Sequence, residues 1–306
     1  MATRTWIIRL SIAGGAVLVL MILHQYVIAG LLLIAGTSPH CSYRQAVASI
    51  SLVQRQEKMR KETAAASRRL QSDPELGLEL WETPLARFWL PGASANEVFY
   101  GIAEQMRDIY NYQNLGVKSG DIVLDGGANV GVYTQVALNA GARKVVAIEP
   151  APENLECLRR NFEKEIAEGR VVIYPKGVWD KDDWLTLYVY ATNSAQDSFV
   201  RQMPGATQTR QKFPLTTIDK LVEELKLERV DYIKLDIEGA ERKALAGAWN
   251  TMARFHPRLA ICVYHISDDP TEIPKPVQSA WSGYRQVCGE CLVGSGRVYP
   301  EVFFYF

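Results

Sequence analysis

The sequence predicts an α/β protein built on a mostly parallel sheet in three layers. From Gly120 onward, short apolar β-forming runs alternate with stretches of helical periodicity. That alternation implies parallel strands joined by crossover helices. At Ile122–Gly131, IVLDGGANVG, an apolar run ends in Asp125 and a glycine turn, and a helical pattern follows. Such a turn sits at the carboxyl end of a strand, where open α/β sheets bind ligands. Independently of the sheet, Ile12–Gly36 is almost wholly apolar and predicts an N-terminal transmembrane helix.

Bulk properties exclude several classes. Of 306 residues, 48% are hydrophobic and 22% charged, and the formal net charge is zero. A neutral chain has no global attraction for nucleic acid, so no nucleic-acid partner is expected. Five cysteines, an odd number over a long chain, do not suggest a disulfide framework. Cys288 and Cys291 form a lone CGEC. It reads as two ordinary thiols, or less readily as a redox pair; a metal half-site lacks its second pair.

Taken in order, the chain divides into an anchor at 1–38, a helical stalk at 39–75 and a domain at 76–306. The run Ile12–Gly36, about 25 residues, exceeds the ~20 needed to cross a bilayer. A signal peptide cleaved after Val27-Ile28-Ala29 is the competing reading, but Leu31–Ile34 continues the apolar run beyond that site. Residues 50–72 mix Arg55, Lys58, Arg60, Arg68 and Arg69 with Glu57, Glu62 and alanines, the pattern of a solvated helix. Asp73-Pro74 ends it, because a residue before proline avoids the α region. Leu78–Leu90 is rich in aromatics. Ala95–Tyr112 has apolar residues at helical spacing, with Glu104, Tyr110 and Tyr112 either structural or within reach of a ligand.

Strands are expected at Ile122–Asp125, Lys144–Glu149, Val171–Tyr174, Val230–Leu235 and Leu259–Tyr264, with fainter ones near Tyr284–Val287 and Val302–Phe306. Helices fill Val130–Asn139, Pro152–Ala167, Thr217–Leu227 and Ala240–Trp249. Trp184–Tyr190 alternates like an added strand, and Ser194–Phe213 reads as a loop.

Two cofactors suit the glycine turn. A dinucleotide fingerprint is GxGxxG with an acid ~20 residues on, and Gly126-x-Ala128-x-x-Gly131 followed by Glu149 is a passable match. Charge argues against it. A pyrophosphate needs bare N–H groups at a helix N-terminus and no nearby anion, whereas Asp125 precedes the first glycine. S-adenosylmethionine carries a sulfonium and an ammonium, so a carboxylate there is an asset. Glu149 would take the ribose hydroxyls with either cofactor.

The motifs LDGGANVGVYT, VVAIEP, GVWD, TTID, IKLDIEGAE and CVYH, in that order, resemble the FkbM family of S-adenosylmethionine-dependent methyltransferases. The resemblance runs from about Thr83 to about His265. It implies the Rossmann-like class I methyltransferase fold, a seven-stranded sheet with a reversed last strand. Carried over by motif, Asp125, Gly126, Gly127, Asn129 and Gly131 belong to the cofactor turn, and Glu149 is the ribose carboxylate. Gly177 and Val178, with Trp179 beside them, would flank the adenine.

A second acidic cluster closes IKLDIEGAE. Methyl transfer to a hydroxyl needs donor and acceptor aligned and a proton accepted. Asp236, Glu238 and His265 are the catalytic candidates, Asp236 also as a contact for the donor's amino group. Glu238 reads equally well as an acid opening the next helix. Asp236, Glu238 and Asp268 or Asp269 are hard ligands suited to Mg²⁺, but no spacing demands a metal and none is predicted.

The sequence therefore predicts a membrane-anchored S-adenosylmethionine-dependent O-methyltransferase acting on a sugar, glycolipid or small metabolite. The alternatives are a non-catalytic cofactor-binding scaffold and an NAD-dependent dehydrogenase. Cytosolic supply of the donor favours a domain facing the cytosol.

Overall fold

The computed structural model describes residues 40–189, 194–201, 207–294 and 297–306, with positions 27 and 31. The expected anchor Ile12–Gly36 lies outside the described residues except for Val27 and Leu31. Among the described residues, no helix is long and apolar enough to cross a membrane. The chain forms two compact units. The larger comprises Gln56–Gly289 and Glu301–Phe306; the smaller comprises Met1–Arg55 and Glu290–Pro300.

In chain order the elements begin with α1 (Tyr43–Ala66), β1 (Arg68–Asp73), β2 (Leu78–Glu82), β3 (Arg87–Pro91) and α2 (Ala95–Met106). The first β/α repeats follow: β4 (Ile122–Gly126), α3 (Val132–Asn139), β5 (Lys144–Ile148), α4 (Pro152–Asn161), α5 (Glu163–Ala167) and β6 (Val171–Tyr174). Then come β7 (Gly177–Val178), β8 (Asp183–Val189), β9 (Thr207–Thr216), α6 (Ile218–Glu224), β10 (Tyr232–Leu235), α7 (Glu241–Ala246), α8 (Trp249–Phe255) and β11 (Arg258–Cys262). The last are α9 (Asp269–Glu272), α10 (Pro274–Ala280), β12 (Gln286–Cys288), β13 (Cys291–Gly294), β14 (Arg297–Pro300) and β15 (Val302–Tyr305).

Seven strands form the main sheet in the order β12-β15-β11-β10-β4-β5-β6. β15 runs antiparallel to both β11 and β12, and the other pairs are parallel. The expected reversed strand is therefore β15. From β4 the chain winds outward to β5 and β6, then returns to β10 on the other side. That makes the carboxyl ends of β4 and β10 the switch point, where a crevice opens.

Strand alternation sorts the core into two faces. Ile122, Leu124, Ile233, Leu235, Leu259 and Ile261 pack with Leu221, Leu245, Met252 and Val277 of the helices on one side. Val123, Val145, Tyr232 and Ala260 face the opposite side with Tyr133 and Ala137 of α3. The three-layer expectation holds.

Two expectations differ. The stretch 50–72 is not helical throughout: α1 stops at Ala66, and β1 pairs antiparallel with β2. Arg68–Glu82 and Arg69–Glu79 ion pairs bridge those strands, so the charges that read as a helix surface are cross-strand partners. Ser194–Phe213 is not all loop either. β9 spans ten residues, pairs with β8 and buries Phe213 and Leu215. Its few apolar residues suffice because its inward positions alone need them. The smaller unit contains the β13–β14 hairpin and a disulfide, Cys41–Cys291, with Cα atoms 6.2 Å apart. CGEC is thus neither a pair of free thiols nor a redox pair: Cys291 is disulfide-bonded to Cys41, 250 positions away, and Cys288 is not part of that bond.

Candidate active site

The site is built where the turns after β4 and β10 meet. Gly127 has φ +75°, and a Cβ on it would lie 1.9 Å from the carbonyl oxygen of Asp236. Only glycine allows that approach. Asn129 follows in the left-handed region at φ 49°, and its N–H donates to Glu149 Oε2 at 2.9 Å. Ala151 N–H donates to Glu149 Oε1 at 2.8 Å. An ionised carboxylate accepts about four hydrogen bonds, so Glu149 keeps capacity for a further hydroxyl donor. Burial pushes its pKa up to about 7.

A cleft runs from this turn to β7. Gly127, Asn129, Glu149, Gly177, Val178, Asp236 and Glu238 line it, with Ser194, Asp197 and Phe199 on the far wall. A second cavity, lined by Glu104, Tyr110, Tyr133 and Lys234, shares Gly127, Asn129 and Asp236 with the first.

Asp125 lines neither cavity. It is fully buried, accepts Thr134 Oγ1–H at 2.7 Å and stands 3.2 Å from Lys234 Nζ. Asp125 and Lys234 are register partners on neighbouring parallel strands, so their side chains share a face. Lys234 also donates to the carbonyls of Gly126 and Gly127. Burial alone would lower Lys234, but Asp125 and Asp236 overcome it and hold its pKa above the usual lysine range. Asp125 therefore does not make the turn hostile to pyrophosphate, because Lys234 neutralises its charge inside the sheet. Gly126 and Gly131 are likewise behind the cleft; a Cβ on Gly131 would meet the Phe162 ring at 2.2 Å. Trp179 lies outside the lining, with its ring under Lys243.

The second acidic turn carries Asp236 and Glu238 and meets His265, which follows β11. Tyr110 donates to Asp236 Oδ2 at 2.7 Å. His265 Nε2 is 3.4 Å from Asp236 Oδ1 and 3.5 Å from Glu238 Oε1, and Nδ1 is 2.8 Å from Glu241. Arg201 donates to Glu238 Oε2 at 2.5 Å. Desolvation would lower His265, but Glu241 and Glu238 outweigh it and raise its pKa well above the ordinary value. Burial would raise Asp236, but Lys234 and His265 keep it below the usual carboxylate range. His265, expected as a possible base, is therefore an imidazolium in the free protein.

Metal chemistry finds little support. Asp236, Glu241 and His265 bring ligand atoms together. Yet Glu241 already accepts N–H groups of Ile237 and Gly239 as well as facing His265. Asp268 and Asp269 are both held by Arg242.

Sequence reasoning missed Lys234, Glu241 and Arg201. A lysine inside YIKL, in a central parallel strand, was a readable signal, since such strands are apolar on both faces. Glu241 closes IEGAE and caps its own turn. Arg201 had no local signal. Tyr112 is structural, stacked 5.9 Å from Phe304.

The sheet order and the acid-ended cleft at its switch point define a Rossmann-like cofactor-binding protein of the methyltransferase type. The Methyltransferase FkbM domain family matches residues 125–284, and the chain belongs to that family. Its cofactor is accordingly S-adenosylmethionine, as expected. The cleft suits that molecule: the Glu149 carboxyl, a group able to accept from hydroxyls, lines it, and Ser194 Oγ is a buried polar atom on the cleft wall without a hydrogen-bond partner.

Among solved structures, the chain is similar to a methyltransferase FkbM from Methylobacillus flagellatus KT. Identity is 18% over 69% of this chain and 54% of that one, with TM-score 0.48. The chain thus spans about half of that protein. A putative RNA methyltransferase from Pyrococcus horikoshii is 12% identical over 82% of this chain and 96% of that one, with TM-score 0.35. A fibrillarin pre-rRNA processing protein from Methanococcus jannaschii is 15% identical over 62% and 67%, with TM-score 0.35. The comparison with curated proteins gives no match.

Proposed function

We propose that the protein is an S-adenosylmethionine-dependent methyltransferase that methylates a hydroxyl oxygen of a sugar, glycolipid or small metabolite. The observation that carries this is the convergence of Asp236, Glu238 and His265 at the edge of the donor cleft. When bound there, the cofactor supplies an electrophilic methyl group. Glu149 holds the ribose hydroxyls, Gly127 and Asn129 admit the donor's chain, and Gly177 and Val178 flank the adenine. Because His265 starts as a cation, Asp236 and Glu238 are the groups that accept the acceptor's proton, and Arg201 and His265 fix Glu238 in place.

The run Ile12–Gly36 is a single-pass anchor in this reading, followed by a stalk and the catalytic domain. Donor supply favours the cytosol. The Cys41–Cys291 disulfide favours an oxidising compartment instead, since such bonds persist there. We take the disulfide as the stronger indication.

Calorimetry on the full chain in detergent tests the donor. S-adenosylmethionine should bind and NAD should not; the reverse sinks the reading. Mass spectrometry of glycans and lipids from cells with and without the protein should then show one species lose a methyl group.

A further inference from the structure

Glu104 lies on α2, upstream of the matched family region, and lines the second cavity together with Gly127, Tyr110, Lys234 and Asp236. The two cations nearest to it are committed elsewhere. Arg107 pairs with Glu301 at 2.7 Å, and Lys234 pairs with Asp125 at 3.2 Å. His265 faces Asp236 from the other side. No hydrogen bond or ion pair engages the Glu104 carboxyl among the described residues. Because those cations are paired with other carboxylates, the Glu104 carboxyl is costly to ionise until a further cation arrives.

We propose that Glu104 is a donor-recognition residue, taking the α-ammonium of the methionine end across from Asp236 while Glu149 holds the ribose. The inference rests on S-adenosylmethionine being the donor. Two features of the geometry favour the ammonium over other cations. The second cavity opens from the same glycine turn as the donor cleft, so one molecule spans both. Glu104 and Asp236 both line it, which gives two carboxyls for a group with three N–H donors. Burial, with Glu301 and Asp236 adding repulsion, holds Glu104 well above the ordinary carboxyl range in the free protein. An arriving ammonium favours the ionised carboxylate, so tail binding should release protons.

The test compares two neutral-sulfur ligands by calorimetry on the full chain: S-adenosylhomocysteine, which has the amino-acid tail, and 5′-methylthioadenosine, which lacks it. Glu104→Gln should weaken S-adenosylhomocysteine by about 10- to 100-fold, the loss of one charge-assisted hydrogen bond. It should leave 5′-methylthioadenosine unchanged. Wild-type protein should release a proton on binding the tailed ligand, read from buffers of different ionisation enthalpy, and the variant should not. Unchanged affinity for the tailed ligand overturns the proposal, and so does equal weakening of both ligands. If wild-type protein binds neither adenosine ligand nor S-adenosylmethionine, the functional reading itself falls instead.

Discussion

At the scale of single residues, the ion pair Asp125–Lys234 and the carboxyl of Glu149 carry different kinds of energy. Both members of the pair are buried, so removing one leaves an uncompensated charge. Lys234→Met should cost about 3–5 kcal/mol of stability in urea unfolding, and Asp125→Asn in the same molecule should recover part of it. Glu149 has a folded pKa near 7 against an ordinary value of 4.5, so the folded state binds the extra proton between those values. Stability from this group is therefore present at low pH and lost as pH rises from about 4.5 to about 7, by about 3 kcal/mol in total. Glu149→Gln should flatten that slope in unfolding measured from pH 4 to pH 8. Ribose hydroxyls donate to the ionised form, so adenosine affinity should rise over the same interval. The legible residues at this scale were those whose place follows from a turn: Gly127, Asn129, Glu149 and Asp236. Asp125 was misread because its charge depends on Lys234, a neighbour distant in sequence that only strand pairing brings close.

At the scale of elements, the two turns after β4 and β10 act as one. Gly127 presses on the Asp236 carbonyl at a spacing no Cβ tolerates. Gly127→Ala should displace Asp236 and cut S-adenosylmethionine affinity by at least about tenfold, roughly 1.4 kcal/mol. Circular dichroism should show the sheet retained; a variant that binds as well as wild type contradicts the assignment of this contact. The β/α repeats from Ile122 to Cys262 were readable because parallel strands are short apolar runs and their helices are amphipathic. β1 and β9 were not. β1 is exposed along nearly its whole length and β9 buries mainly Phe213, Leu215 and Thr216, and composition alone gives such strands the look of a helix surface or a loop.

At the scale of the whole molecule, the chain carries a cofactor-binding sheet, a disulfide-bearing smaller unit and an apolar N-terminal run. Protease treatment of sealed membrane vesicles should leave the domain protected when it faces the lumen. Cys41 and Cys291 should then resist alkylation until a reductant is added. Digestion from outside, with both thiols reactive, would return the domain to the cytosolic side. The disulfide was illegible in the sequence, because an odd count of cysteines scattered over a long chain gives no pairing rule.

The interior position of β15 has a kinetic side. β12 has no partner in the main sheet except β15, and β11 has a bare edge until β15 arrives. During synthesis the apolar strand Arg258–Cys262 therefore waits, unpaired on one side, until Val302–Tyr305 emerges from the ribosome. An open apolar edge is a template for pairing with a neighbouring chain. Deleting residues 302–306 should thus raise the aggregated fraction of the refolding chain, whereas Trp249→Ala, on an exposed side chain, should not.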